Sequence, residues 1–140
     1  MEIIGDSITL CRVETGFWSL DRAFENHKHK VGFPVRGICE LYGPTGAGKS
    51  TIAYCLSGRI AQALGSNISL ADLEMYDPEF LVDLLDNVGF SGKLHLVEGP
   101  TDEKLLDALI DDLRSNDYCI GILDSLGAIS PIADVVEQVE

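Results

Sequence analysis

The chain has 140 residues, enough for one domain with a single core, and 46% of them are hydrophobic, which argues against a disordered segment. Its net charge of −13, from 23 acids against 10 bases, excludes a broad nucleic-acid-binding surface and leaves room only for a local one. No apolar run approaches the roughly 18 residues of a membrane span. The first residues, with acids at Glu2 and Asp6, lack the basic-then-apolar order of a signal peptide.

The elements follow in chain order. Residues 1–14 alternate weakly and read as a strand or an extended arm. Thr15 to Glu25 reads as the start of a short helix, capped by Ser19 or Asp21, with Trp18, Leu20 and Phe24 on its apolar side. His27 to Arg36 reads as a loop punctuated by Gly32 and Pro34, and its cluster His27-Lys28-His29-Lys30 as solvated. A regular alternation begins there. Gly37 to Tyr42 reads as a strand, Lys49 to Leu64 as a helix ended by Gly65, and Asn67 to Leu73 as a strand. Pro78 to Val88 reads as a helix opened by its proline and ended by Gly89, and Leu94 to Glu98 as a strand before the Gly99-Pro100 break. Asp102 to Ser115 reads as a helix capped by Thr101 or Asp102, and Tyr118 to Leu123 as a strand with Asp124 at its C-terminal end. Strands alternating with helices of this length imply right-handed βαβ units and a mostly parallel sheet flanked by helices, the α/β class. Asp83, Asp86, Asp107, Asp111 and Asp112 fall between apolar positions and read as a wet outer face. The four cysteines, Cys11, Cys39, Cys55 and Cys119, form no C-x-x-C pair and fit no common zinc spacing. They read as small buried hydrophobes of a reducing, cytoplasmic compartment.

The chemistry lies in Gly43-Pro44-Thr45-Gly46-Ala47-Gly48-Lys49-Ser50, a full match to G-x-x-x-x-G-K-[ST], the P-loop pattern. Its glycines let the backbone curl so that successive N–H groups point at phosphate oxygens, and the following helix adds its positive N-terminal end. Lys49 is placed to reach the β- and γ-phosphates of a nucleotide, Ser50 to ligate Mg²⁺, and Thr51 to touch the α-phosphate. A P-loop needs a second carboxylate for its metal, and the apolar strand Cys119-Ile120-Gly121-Ile122-Leu123 ending in Asp124 has the Walker B form that supplies one. Ser125, not a glutamate, follows Asp124, so a catalytic base has to come from elsewhere. Glu74, at the end of the second strand, lies at the sheet edge where ligands bind in such folds, and a carboxylate there can orient and deprotonate an attacking water. Asp72 is the competing acid, on the same face but deeper in the sheet.

These residues resemble the RecA-type recombinases. Thr15-Gly16 followed by Ser19-Leu20-Asp21 looks like that family's T-G-x-x-x-L-D segment, and Arg36 to Pro44 is similar to its strand entering the P-loop. Asp72-Leu73-Glu74-Met75-Tyr76-Asp77-Pro78 is similar to its D-A-E…D-P stretch, one residue shorter. Leu123-Asp124-Ser125-Leu126-Gly127-Ala128 looks like its V-D-S-x-A-A Walker B. The resemblance covers residues 15–140 and implies a RecA-like core behind an N-terminal arm, residues 1–14. It also implies Mg²⁺-ATP as the ligand, Glu74 as the catalytic base, and Asp77 and Phe80 against the nucleotide base. Further implications are filaments with ATP between adjacent subunits and DNA-dependent ATP hydrolysis on single-stranded DNA, for recombination and repair. A regulatory ATPase of KaiC-like or recombination-mediator type is the alternative, and a small-molecule kinase, which needs no Glu74, a third.

The family reads single-stranded DNA with two loops that follow the Walker B strand, and a further strand inserts between the P-loop strand and the Walker B strand. The expectation is therefore an incomplete core, a fragment or truncated form of a longer protein, with a gap in its sheet and better suited to binding nucleotide than to hydrolysing it.

Overall fold

The computed structural model describes residues 12–35, 37–75 and 77–129. The chain divides into two compact units, Met1–Leu41 and Tyr42–Glu140.

In the first unit, β1 (Arg12–Val13) pairs antiparallel with β2 (Phe33–Pro34), and α1 (Trp18–Ala23) lies between them in sequence. β2 thus falls within the segment expected to be all loop, and most of the expected N-terminal arm lies outside the described residues. The capping expectation for α1 is corrected. Phe17 holds the N-cap position without a side-chain bond. Asp21 sits four residues further on and reaches back to accept from the Thr15 N–H and hydroxyl, both at 2.8 Å, and from the Gly16 N–H at 3.2 Å. A buried carboxylate needs such donors, which gives the Thr-Gly and Leu-Asp pairs of this segment a structural reason. The Arg12 guanidinium donates to the carbonyls of Phe24 and Gly32, tying β1 to the end of α1 and to the residue before β2. Phe24 meets Phe33 edge-on with centroids 4.9 Å apart, whereas Trp18 is 76% exposed and does not join an apolar side. The basic cluster is exposed as expected, its turn held by the Asn26 side chain accepting from the N–H groups of Lys28 and Lys30.

The second unit follows the expected alternation closely: α2 (Lys49–Leu64), β3 (Asn67–Asp72), α3 (Pro78–Asn87), β4 (Leu94–Leu96), α4 (Asp102–Arg114) and β5 (Tyr118–Asp124). Gly65, in the left-handed region at φ 63°, ends α2, and its N–H and that of Ser66 take up the last carbonyls. Asp77 caps α3 through the Glu79 N–H, and Thr101 caps α4 through the Lys104 N–H. The strands form a parallel sheet in the order β4-β3-β5. The chain steps outward from β3 to β4 and then back to β5. With right-handed crossovers such a reversal sends successive helices to opposite faces. Side-chain alternation agrees. Ile68, Leu70 and Ile122 pack with Tyr54 and Ala61 of α2 and Leu81 and Leu85 of α3. Ala71 and Leu123 pack with Leu105 and Leu109 of α4.

Three expectations are overturned in this region. Gly37–Tyr42 forms no strand: Ile38 and Tyr42 are 102% and 89% exposed, and among the described residues β5 has β3 as its one partner. An alternating apolar sequence provides a face, but a strand exists only where a neighbouring ladder satisfies its backbone. Cys39, in that segment, is exposed rather than buried, while Cys55 and Cys119 are half-buried and burial pushes the Cys55 thiol up against the opposing charge of Arg59.

The third is Asp112, which departs from the wet outer face. Asp83, Asp86, Asp107 and Asp111 are exposed, but Asp112 turns in from α4 against the sheet. One of its oxygens, Oδ2, accepts from the buried Ser69 hydroxyl of β3 at 2.6 Å and meets His95 Nδ1 of β4 at 2.6 Å. Partial burial opposes ionisation of the carboxyl. The hydrogen bonds from Ser69 and His95 and the imidazole's positive charge outweigh it and hold the group below its ordinary range.

A depressed carboxyl stabilises the fold above the unfolded pKa, and that stability is lost as pH falls through the folded pKa. Asp112→Ala should therefore cost about 1–2 kcal/mol in denaturant unfolding at pH 7, with the difference from wild type shrinking below about pH 4. Gly99 lies against the first turn of α4, where an added Cβ would stand 2.6 Å from the Leu105 N. Because backbone must move, Gly99→Ala should lower stability by about 1–3 kcal/mol on the same assay.

Candidate functional site

Gly43 to Ser50 curls into the N-terminus of α2. Gly46 and Gly48 have φ of 78° and 82°, a region other residues enter at a cost, and a Cβ on either would meet no atom within 4 Å. Glycine is thus required here by backbone conformation, and the space before the loop is open. Among the described contacts the Ala47 N–H donates to the Pro44 carbonyl at 3.3 Å, and Lys49 Nζ folds back to the same carbonyl at 3.0 Å. The N-cap residue of α2 is Gly48, no side chain caps the helix, and its first turn contains no acid. An uncapped, acid-free helix start behind a glycine curl leaves N–H donors and partial positive charge for an anion. Thr45, Gly46, Ala47 and Thr51 are exposed and Ser50 is half-buried.

The C-terminal tips of β3 and β5 end level with each other. Asp72 is the register partner of Asp124, and the Leu73 N–H donates to the Asp124 carbonyl at 2.7 Å. Asp124 is buried, and its Oδ2 accepts from the Tyr54 hydroxyl of α2 at 2.7 Å. Ser50 and Tyr54 are four residues apart on one helix, so they share a face and are separated by about 6 Å along its axis. The tip of β5 is thereby tied to the first turns of α2, on the side that carries Ser50. The peptide bond from Asp124 to Ser125 is cis.

Asp72 Oδ1 accepts from the N–H groups of Glu74 and Met75 at 3.1 and 2.9 Å, shaping a turn in which Met75 takes φ 56°. Glu74 rides on that turn, exposed at the strand tip. Asp77 is occupied as the cap of α3, and Phe80, on the first turn of that helix, is 42% exposed rather than enclosed in the core. Pattern reading missed Tyr54. The available signal was a phenol on the buried side of a helix, which requires a polar partner.

The residues present fit Mg²⁺ and a nucleotide phosphate on these grounds: the open curl with its uncapped helix start suits phosphate oxygens, and a hydroxyl and a carboxylate, both oxygen donors, suit a hard cation. No cluster of three His, Cys, Asp or Glu side chains gathers among the described residues, and a metal held jointly with substrate phosphates needs none. Among the same residues no helix is long and apolar enough to cross a membrane.

No protein-family model matches the chain. It is similar to protein RecA of Phytoplasma mali (strain AT), 28% identical over 129 residues, which is 91% of this chain and 36% of that protein. It is likewise similar to protein RecA of Pseudomonas fluorescens (strain SBW25), 31% identical over 105 residues, 74% of this chain and 29% of that protein. The RecA of Pseudomonas syringae pv. syringae (strain B728a) matches over the same length at 31%, with 28% of that protein covered. The chain spans about a third of the length of the curated relatives it matches. With the glycine curl, the level strand tips and the βα alternation in place, this likeness across most of the chain makes it RecA-like, similar to about a third of the RecA proteins.

Proposed function

We propose that the chain is the ATP-binding core of a recombinase that hydrolyses ATP on single-stranded DNA. One observation carries the nucleotide part: the glycine curl runs into a helix start with no cap and no acid, and Tyr54 ties the Asp124 carboxylate to the same helix, one turn beyond Ser50. In this reading the N–H groups of Gly43 to Thr51 grip the triphosphate. Lys49, which rests on the Pro44 carbonyl, swings out to the β- and γ-phosphates. Ser50 would hold Mg²⁺ directly and Asp124 would hold it through its water shell; when bound, the cation would supply neutralisation of phosphate charge, most of what phosphoryl transfer asks of a site.

Glu74 orients and deprotonates the attacking water. Its support is position: it stands at the tip of β3, on a turn that the competing acid Asp72 is engaged in shaping. Asp77 and Phe80 face the nucleotide base; the partial exposure of Phe80 suits a ring that stacks on a ligand. Assembly into a filament and the dependence on single-stranded DNA rest on the family likeness alone. A chain of net charge −13 needs a local surface for that contact.

Binding of a fluorescent ATP analogue with Mg²⁺ tests the core of the reading. Lys49→Ala should weaken it at least about tenfold, the loss of one charge-assisted phosphate contact. An unchanged affinity would remove the P-loop assignment. Glu74→Gln should keep binding and abolish turnover. A variant that still turns over would point to a kinase, and in a longer form of the protein turnover indifferent to single-stranded DNA would count against a recombinase.

A further inference from the structure

Tyr54 is 2% exposed and Asp124 is 9% exposed, and their 2.7 Å hydrogen bond joins the second turn of α2 to the tip of β5. We infer that Tyr54 is a positioning residue for the metal site, holding the Asp124 carboxylate in the orientation that receives a Mg²⁺-bound water. The inference rests on the proposed nucleotide site and deepens it.

The geometry favours positioning over simple core satisfaction. Asp124 lies on the α2 face of β5 by alternation with Ile120 and Ile122, so its carboxylate points at the helix that carries Ser50. The phenol donates to Oδ2 at 2.7 Å, which fixes the rotation of the carboxylate and so the direction in which Oδ1 is presented. Tyr54 is anchored between the sheet and α3 in a cluster with Ile68, Leu70 and Leu81, so its hydroxyl is a fixed donor rather than a mobile one. Removing the outer-shell partner of a metal ligand characteristically changes metal affinity by about 10–100-fold, and a partner of a carboxylate that meets the metal through water falls at the low end of that range. The bond also makes the spacing between β5 and the start of α2 part of the metal site. Displacement of α2 on phosphate binding would thus be felt at Asp124.

The test is the Mg²⁺ dependence of binding of a fluorescent ATP analogue to the 140-residue chain, titrated in EDTA and at graded Mg²⁺. It compares wild type, Tyr54→Phe, Asp124→Asn and the double variant, with thermal melts confirming that each is folded. Tyr54→Phe removes one oxygen and keeps the ring. It should raise the Mg²⁺ concentration for half-maximal tight binding about tenfold or more, leave the EDTA affinity unchanged, and have no further effect in the Asp124→Asn background. An unshifted midpoint in Tyr54→Phe beside a shifted one in Asp124→Asn would overturn this inference alone. So would additive effects in the double variant, a shift to lower Mg²⁺, or a loss of EDTA-state affinity in Tyr54→Phe, which would mark a packing role. An unshifted midpoint in Asp124→Asn would instead overturn the metal role of Asp124 and this inference with it. Absence of nucleotide binding by wild type would overturn the nucleotide site itself.

Discussion

The parallel ladder between β3 and β5 is the constraint on which the site depends. It pairs Asp72 with Asp124 and continues through the Leu73 N–H to the Asp124 carbonyl, so two strand tips finish at one level. Because side chains alternate, that register also decides which face each acid occupies. A slip of one residue would turn Asp124 from α2 to α4 and break the Tyr54 bond. The core on the α2 face guards against such a slip, since Ile120 and Ile122 would leave it for the α4 face together with Asp124. Packing energy in the sheet is thus what aims the carboxylate.

The two faces of the sheet do different work. The α2 and α3 face combines the larger apolar cluster with one polar pair, Tyr54 and Asp124, placed at the end where the glycine loop begins. The α4 face has its polar group towards the C-terminal end of its helix, where Ser69, His95 and Asp112 meet. Ser69 lies three positions before Asp72 on β3, so this second cluster stands back from the strand tips and the glycine loop. It clamps a helix to the sheet, and one acidic oxygen serves both a serine and a histidine. The first polar pair stands at the strand tip beside the helix of the glycine loop and the second clamps a helix farther back, a division that follows from position along the strands.

The ordered elements from Lys49 onward were legible in the chain because each is locally self-consistent. A glycine in the left-handed region stops α2, an Asp-Pro step starts α3 and a threonine cap starts α4. The segment Gly37–Tyr42 misled for a physical reason: alternation records which side of a strand is apolar, not whether a partner strand is present. Asp112 misled because helix periodicity marks it as lying between apolar positions, whereas its partners, Ser69 and His95, are 43 and 17 residues away in sequence. Asp21 is a capping type of residue, yet its position inside α1 lets its carboxylate reach back to Thr15 and Gly16 instead.

By itself the sequence determined the glycine curl, the helix behind it and the strand ending in Asp124, since glycine spacing, cap residues and apolar runs act over neighbouring residues. It also carried the likeness to RecA in the order of short segments. Only the tertiary structure decided that Asp72 and Asp124 stand level, that Tyr54 holds Asp124 beside the helix of Ser50, and that Asp72 shapes the turn beneath Glu74. Those are relations between residues far apart in the chain or dependent on backbone conformation, and they exist only once sheet register and helix packing bring the groups within hydrogen-bonding distance.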